Sequence, residues 1–272
     1  MRRLLSSYPF ISRKVTPELL GQIAKAGFEG VELFCSRSHF DYTSRVQIQA
    51  MAEALNTHKL TLGSLHAPNS RDLSATREGG TPLSICEVER VRRIEAMDEI
   101  KRALELAEQI PFRFLVQHLG ATGESFDDRK FEAAMTSIEH LRAFAKPLGV
   151  RILLENIPNE LSTPERLVEF IRAAHFDDVG VCFDFGHAHL MSDVPQAFET
   201  VRSYIHSTHV HDNAKDRDSH LWPGRGSIDW KQAMELLRSA PHTPPLLLEI
   251  EADEKVNPTE KMQEVFDRLE TL

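Results

Sequence analysis

The chain has few cysteines. There are three in 272 residues, Cys35, Cys86 and Cys182, an odd number with no CxxC spacing. This predicts reduced thiols, with the cytoplasm as the expected compartment. No apolar run is long enough to cross a bilayer, and the start, Met1-Arg2-Arg3-Leu4-Leu5, has too short an apolar stretch for a signal peptide, so no membrane anchor is expected. Positive charge is also in deficit. Lys and Arg number 32 against 41 Asp and Glu, a formal charge of -9, which argues against a general nucleic-acid or membrane surface. No GxGxxG or phosphate loop follows the first apolar run, so the dinucleotide and nucleoside-triphosphate readings lose their main support. Low-complexity linkers are missing as well: 14 prolines and 13 glycines are spread along the sequence, and a single domain over residues 1–272 is expected.

What the chain does have is alternation. Short apolar runs and longer amphipathic segments follow one another eight times, the pattern of βα units. The predicted strands are Arg3–Ser7, Gly30–Phe34, Thr61–His66, Arg113–His118, Arg151–Glu155, Val179–Asp184, Ile205–Val210 and Pro245–Glu249. Thr16-Pro17-Glu18 and Thr163-Pro164-Glu165 each set a capping hydroxyl before a proline at the first helical position, with an acid in the first turn. Asp229 before Trp230, and Asn257 before Pro258, predict two more helix starts. An α/β (β/α)8 TIM barrel follows, with an open doubly wound sheet as the alternative.

The predicted strands end in polar residues: His66, His118, Glu155, Asp184, His209 and Glu249. Strand parity sets Leu62, Ser64 and His66 on one face, likewise Phe114, Val116 and His118, and Gly180, Cys182 and Asp184. The polar residue ends the row that would point into the barrel, at the rim where barrels place their active sites. Any one such acid is as readily a helix cap or a partner for a lysine. Glu155, Asp184, His209 and Glu249 together, from the fifth to the eighth strands, are better explained by a shared divalent cation, because buried charges need a partner. This oxygen-rich set suits Mn, Mg or Co and tolerates Zn.

A second tier comprises His66, His118, His187, Asp218 and His220. These complete further metal sites, hydrogen-bond a substrate, or are structural histidines. His211 shares the parity of His209 and is either a ligand itself or the partner behind one. His39, His58, His140, His175 and His242 read as surface or packing residues. The charges from Glu87 to Arg93, with Glu95, Asp98, Glu99, Lys101 and Arg102, read as a solvated helix face. Lys215 and Arg225 flank the metal residues and are candidates for holding an anionic or hydroxylated substrate. Substrate choice is expected to lie mainly in the loops 67–85 and 211–227.

Leu154-Glu155-Asn156, Phe183-Asp184-Phe185-Gly186-His187, His209-Val210-His211-Asp212-Asn213 with Asp218-Ser219-His220-Leu221 and Gly224-Arg225-Gly226, and Leu248-Glu249 resemble the xylose isomerase-like TIM-barrel superfamily. That superfamily includes sugar and sugar-phosphate isomerases and epimerases, inosose-processing enzymes, dehydroshikimate dehydratases and apurinic endonucleases of the endonuclease IV type. The resemblance runs from Gly27-Phe28-Glu29-Gly30-Val31-Glu32 to the end and is specific for superfamily rather than substrate. It implies one divalent metal on Glu155, Asp184, His209 and Glu249, with the two glutamates exchanging a proton, as in the epimerases. In the endonucleases the positions of His66, His118, His187, Asp218 and His220 complete a trinuclear zinc cluster.

The expected activity is therefore metal-dependent isomerisation or epimerisation of a small sugar or sugar phosphate through an enediolate. Glu32, His66 and His187 would hold substrate, and Lys215 or Arg225 would meet any phosphate. The rival reading is phosphodiester hydrolysis at a multinuclear zinc site. A barrel that binds a sugar or metal without turnover is a third.

Overall fold

A computed structural model describes residues 1–70, 82–251 and 258–272. Its eight strands are β1 (Arg3–Ser6), β2 (Gly30–Phe34), β3 (Thr61–His66), β4 (Phe114–His118), β5 (Arg151–Glu155), β6 (Gly180–Asp184), β7 (Ile205–His209) and β8 (Leu246–Leu248). Every ladder is parallel, in the order β7-β6-β5-β4-β3-β2-β1-β8. Beyond the end of β7 a bridge between Val210 and Leu248, with Val210 N–H donating to the Leu247 carbonyl at 2.8 Å, joins the two ends of the sheet. The result is the expected (β/α)8 barrel rather than an open sheet.

The helices are α1 (Pro17–Lys25), α2 (Arg45–His58), α3 (Arg90–Leu104), α4 (Asp128–Ala145), α5 (Pro164–Ala173), α6 (Phe185–Met191), α7 (Val194–Val201), α8 (Trp230–Ser239) and α9 (Pro258–Thr271). The predicted caps act as such: Thr16, Thr163 and Asp229 accept from the backbone N–H of Leu19, Arg166 and Gln232, each satisfying a first-turn donor. The predicted cap Asn257 and the loop segment 71–81 lie outside the described residues. None of the described helices is long and apolar enough to cross a membrane. All three cysteines are free and buried.

Two apolar layers result from the alternation of side chains. Leu5, Leu33, Leu65, Leu115, Leu154 and Phe183 belong to the large core between strands and helices, whereas Val116, Leu153 and Cys182 form a separate buried cluster. The small cluster follows the predicted inward parity and fills the barrel beneath the rim. Because neighbouring strands run in register, His118 pairs with Glu155 and Asp184 with His209. The side chains of the rim are thus set beside one another by backbone hydrogen bonding.

One surface expectation is corrected. Glu99 on α3 is not part of the solvated face; it is 1% exposed. Its carboxylate accepts from Arg37 at 2.7 Å through both oxygens, from the Tyr42 hydroxyl at 2.6 Å and from Arg102 at 2.9 Å. Arg37 and Tyr42 come from the β2–α2 connection, and a buried acid of this kind is retained only when paired. Burial raises the carboxyl pKa, and the Arg37 and Tyr42 hydrogen bonds more than reverse that, so it lies below its ordinary value.

Candidate metal centre

Among the described residues, three groups of ligand-type atoms gather at the C-terminal rim, each with all its atoms within 4.8 Å of one another. The first is Glu155, Asp184, His209 and Glu249, all buried; the second is His66, His118 and Glu155; the third is His187, His211, Asp218 and His220. Glu155 belongs to two of them. His209 Nδ1 lies 3.0 Å from Glu155 Oε1, 3.2 Å from Glu249 Oε2 and 3.8 Å from Asp184 Oδ2. In the second group His118 Nε2 stands 2.9 Å from Glu155 Oε2 and 3.1 Å from His66 Nε2. In the third, Asp218 Oδ2 is 3.1 Å from His187 Nε2 and 3.3 Å from His220 Nε2. The structure therefore brings together every predicted ligand residue of both tiers.

The electrostatics describe a site held together by shared protons. Burial pushes the Glu155 carboxyl up, but the field of His209 and His118 more than offsets it and holds the group well below the carboxylate range. Burial lowers His209, while Cys182, Glu249, Glu32 and Glu155 raise it well above an ordinary imidazole. His187 is raised in the same way by Asp184 and Asp218 against its burial. His220 reaches about 9, burial being outweighed by the Asp218 hydrogen bond. Positive charge is thus demanded where the carboxylates converge, and a divalent cation would supply it by displacing those protons. The donor chemistry fits: three carboxylates and one imidazole suit Mn, Mg or Co, and the histidine-rich groups suit Zn.

Supporting residues decide how these side chains stand. Glu32, expected to hold substrate hydroxyls, is fully buried behind the rim instead. One of its oxygens accepts from His209 Nε2 at 2.8 Å and the other from Ser64 Oγ at 2.6 Å. It therefore orients the His209 ring so that Nδ1 faces the carboxylates, an arrangement typical of metal-binding histidines. Asn156 exchanges two 2.9 Å hydrogen bonds with the Asp184 backbone and accepts from His187 Nδ1 at its carbonyl. Asp212 ties the long β7–α8 loop, accepting from the backbone N–H of Asn213, Gly224 and Ile228 and from Trp230 Nε1. That knot carries Asp218 and His220 to the third group. Residue type alone does not single out these roles of Asn156 and Asp212, whose partners lie 28 and up to 18 residues away.

His211 Nε2 lies 3.0 Å from Asp184 Oδ2, its ring stacks on His220 at 3.9 Å, and it joins the third group rather than the first. Gly186 makes room for it: a Cβ there would meet the His211 ring at 2.0 Å. Two candidates lie on the loop beyond the three groups. Lys215 Nζ donates to the Ser192 carbonyl at 3.2 Å, and Arg225 is an exposed residue of the turn after Trp222. A cavity of about 230 Å³ opens beside His66 and His118, with Asn69, Leu83 and Thr122 in its walls.

Several known proteins are similar to this chain. A protein of unassigned function from Methanocaldococcus jannaschii is 28% identical over 86% of this chain and 78% of its own. An inosose isomerase of Bacillus velezensis is 23% identical over 79% of this chain and 75% of its own. A solved D-tagatose 3-epimerase-like protein superposes with a TM-score of 0.80 at 22% identity, covering 100% of this chain and 97% of that one; at that identity the likeness is one of fold. Residues 20–272 match the family described as xylose isomerase-like TIM barrel. With that match spanning nearly all of the barrel and the whole rim, the chain belongs to the xylose isomerase-like TIM-barrel family.

Proposed function

We propose that the protein is a metal-dependent isomerase or epimerase of a small sugar or sugar phosphate, transferring a proton at the carbon next to a carbonyl. The observation that carries this reading is the placement of Glu155 and Glu249, from β5 and from the end of β8, around the same His209 nitrogen at 3.0 and 3.2 Å. Epimerisation needs two bases that reach one carbon from two faces, and here two carboxylates converge from different strands. One glutamate takes the proton from the carbon beside the carbonyl, the electron pair passing to the carbonyl oxygen. The other returns a proton to the opposite face, so the substrate leaves with its composition unchanged and one centre inverted. A divalent cation on Glu155, Asp184, His209 and Glu249 would supply the positive charge that stabilises the enediolate oxygens. Asp184 and His209 keep their orientation through Asn156 and Glu32. The names of the inosose isomerase relative and of the epimerase-like structure support the same reading.

A second reading rests on a specific observation: the histidine-rich second and third groups are more than a single-metal epimerase requires. Three such groups, one carboxylate common to two of them, suit phosphodiester hydrolysis at a multinuclear zinc centre. A panel of ketoses, ketose phosphates and abasic-site DNA, assayed with Mn, Mg, Co and Zn in turn, separates the two. A new sugar isomer supports the isomerase; cleavage of abasic DNA that depends on His118, Asp218 and His220, with no sugar converted, replaces it by the hydrolase.

The reassigned role of Glu32 gives a separate expectation. Glu32→Gln should weaken divalent-cation binding by about 10- to 100-fold, the range typical for loss of the carboxylate behind a metal-binding histidine. Titration of the metal-free protein with Mn or Zn reads this without any assay of turnover. Unchanged affinity would mean that the His209 ring is held by its packing alone.

A further inference from the structure

A second concavity lies at the other end of the barrel. A cavity of about 650 Å³ opens around the N-terminal ends of β5, β6 and β7, with Arg151, Arg172, His175, Tyr204, His206 and His242 in its wall. An adjoining recess shares His206 and His242 and adds Arg113. Among the described residues, no carboxylate lies within 4.0 Å of the guanidinium nitrogens of Arg113, Arg151 or Arg172. Neighbouring arginines are paired: Arg142 with Asp178 at 2.7 Å, Arg202 with Glu199 at 3.6 Å. One acid, Asp177, is part of the wall. In a chain of net charge -9, Arg151 and Arg172 in the wall of this hollow and Arg113 in the recess beside it make a local positive field in an acidic protein.

The cations are also held in place by neutral groups. Arg151 Nη1 donates to His206 Nε2 at 2.7 Å, which requires that nitrogen to be an unprotonated acceptor. Burial, followed by the charge of Arg151, lowers His206 to about 4, in keeping with a neutral ring. His206 stacks on His242 at 4.1 Å and 18°, and His242 Nε2 is bonded to the Ser203 carbonyl at 3.1 Å. Arg172 Nε donates to the Tyr204 hydroxyl at 3.2 Å. Arg151 and Arg172 thus each spend one nitrogen on a neutral acceptor and keep their charge for another partner. Planar, pre-oriented forks suit phosphate oxygens, and a hollow of this volume suits a small ligand rather than a polymer.

We propose that this hollow is a binding site for a small phosphate-bearing molecule, gripped by Arg151 and Arg172 at the end of the barrel remote from the carboxylate–histidine rim. It is independent of the reaction proposed above. Arg151 and His206 lie on the strands that end at Glu155 and His209, so the two ends share rigid elements but no side chain.

The test is calorimetric titration of the metal-free protein, in EDTA, with inorganic phosphate, pyrophosphate and a hexose phosphate, with sulfate as comparison. Saturable one-to-one binding is expected, weakened about tenfold or more by Arg151→Gln and by Arg172→Gln, since a hydrogen bond to a charged group is worth that much. Arg151→Lys, which keeps the charge and loses the fork, should be intermediate. Glu249→Gln, at the opposite rim, should bind as the parent does. A hexose phosphate bound more tightly than inorganic phosphate identifies an ester as the ligand, and equal affinities identify the bare phosphate group. The proposal fails if no saturable binding is seen up to about 10 mM, well above millimolar affinity. It fails equally if Arg92→Gln, on an exposed and paired surface arginine, weakens binding as much as Arg151→Gln, or if Glu249→Gln abolishes it.

Discussion

Glu249→Gln and Glu155→Gln are each expected to lower turnover by at least about 10²-fold, the usual worth of a positioned proton-transfer base. Both side chains are buried, 4% and 1% exposed, and each faces His209 Nδ1. An amide is nearly isosteric with the carboxylate it replaces but cannot take the proton. The two variants should differ in a second respect. Glu155 belongs to two of the three ligand groups and Glu249 to one, so Glu155→Gln should reduce bound metal further than Glu249→Gln. Metal content by elemental analysis therefore belongs beside the rate. Full turnover in a metal-replete Glu249→Gln protein would remove that residue from the chemistry.

Removal of metal should lower thermal stability markedly. Glu155, Asp184 and Glu249 are buried carboxylates of the rim, with Glu32 buried behind it, and protons on histidines such as His209 and His187 balance their charge without a cation. A cation present at about a thousand times its dissociation constant stabilises the folded state by about 4 kcal/mol. For a domain of this size that corresponds to a midpoint lowered by about 7 °C when the ion is taken away. Differential scanning calorimetry before and after chelation, with metal loss verified, measures it. A midpoint that does not move would mean that the rim is stable on its hydrogen bonds alone.

The sequence carried the fold because each signal was local. The strand ends fall within a residue of those expected, since an apolar run stops where His66, His118, Glu155 or Asp184 appears, and parity then sets which residues face inward, as the separate cluster of Val116, Leu153 and Cys182 shows. Helix starts at Pro17, Pro164 and Trp230 were legible from a cap and its neighbour. What was not legible depends on partners far along the chain. Glu32 reads as a rim acid until His209, 177 residues away, is seen to hold it. Glu99 sits in a run of helical charges, and its partners Arg37 and Tyr42, 62 and 57 residues away, are what bury it. Lys215 looked poised for a substrate, but its ammonium reaches the Ser192 carbonyl. Arg113, Arg151 and Arg172 are unremarkable one by one, and only the barrel's N-terminal face assembles them.

Proton transfer next to a carbonyl is tested most directly by the substrate's own hydrogen. The metal-loaded protein, incubated in heavy water with the ketose or ketose phosphate that the panel identifies, should place deuterium at the carbon beside the carbonyl, because a proton carried by Glu155 or Glu249 exchanges with solvent between removal and return. The label should survive Asp218→Asn, which lies in the third group, and vanish with Glu249→Gln. Product analysis runs beside the isotope measurement, so that a base shielded from solvent is still seen as a new isomer. No deuterium and no new isomer from any ketose, together with cleavage of abasic-site DNA that is lost in Asp218→Asn, would contradict the isomerase.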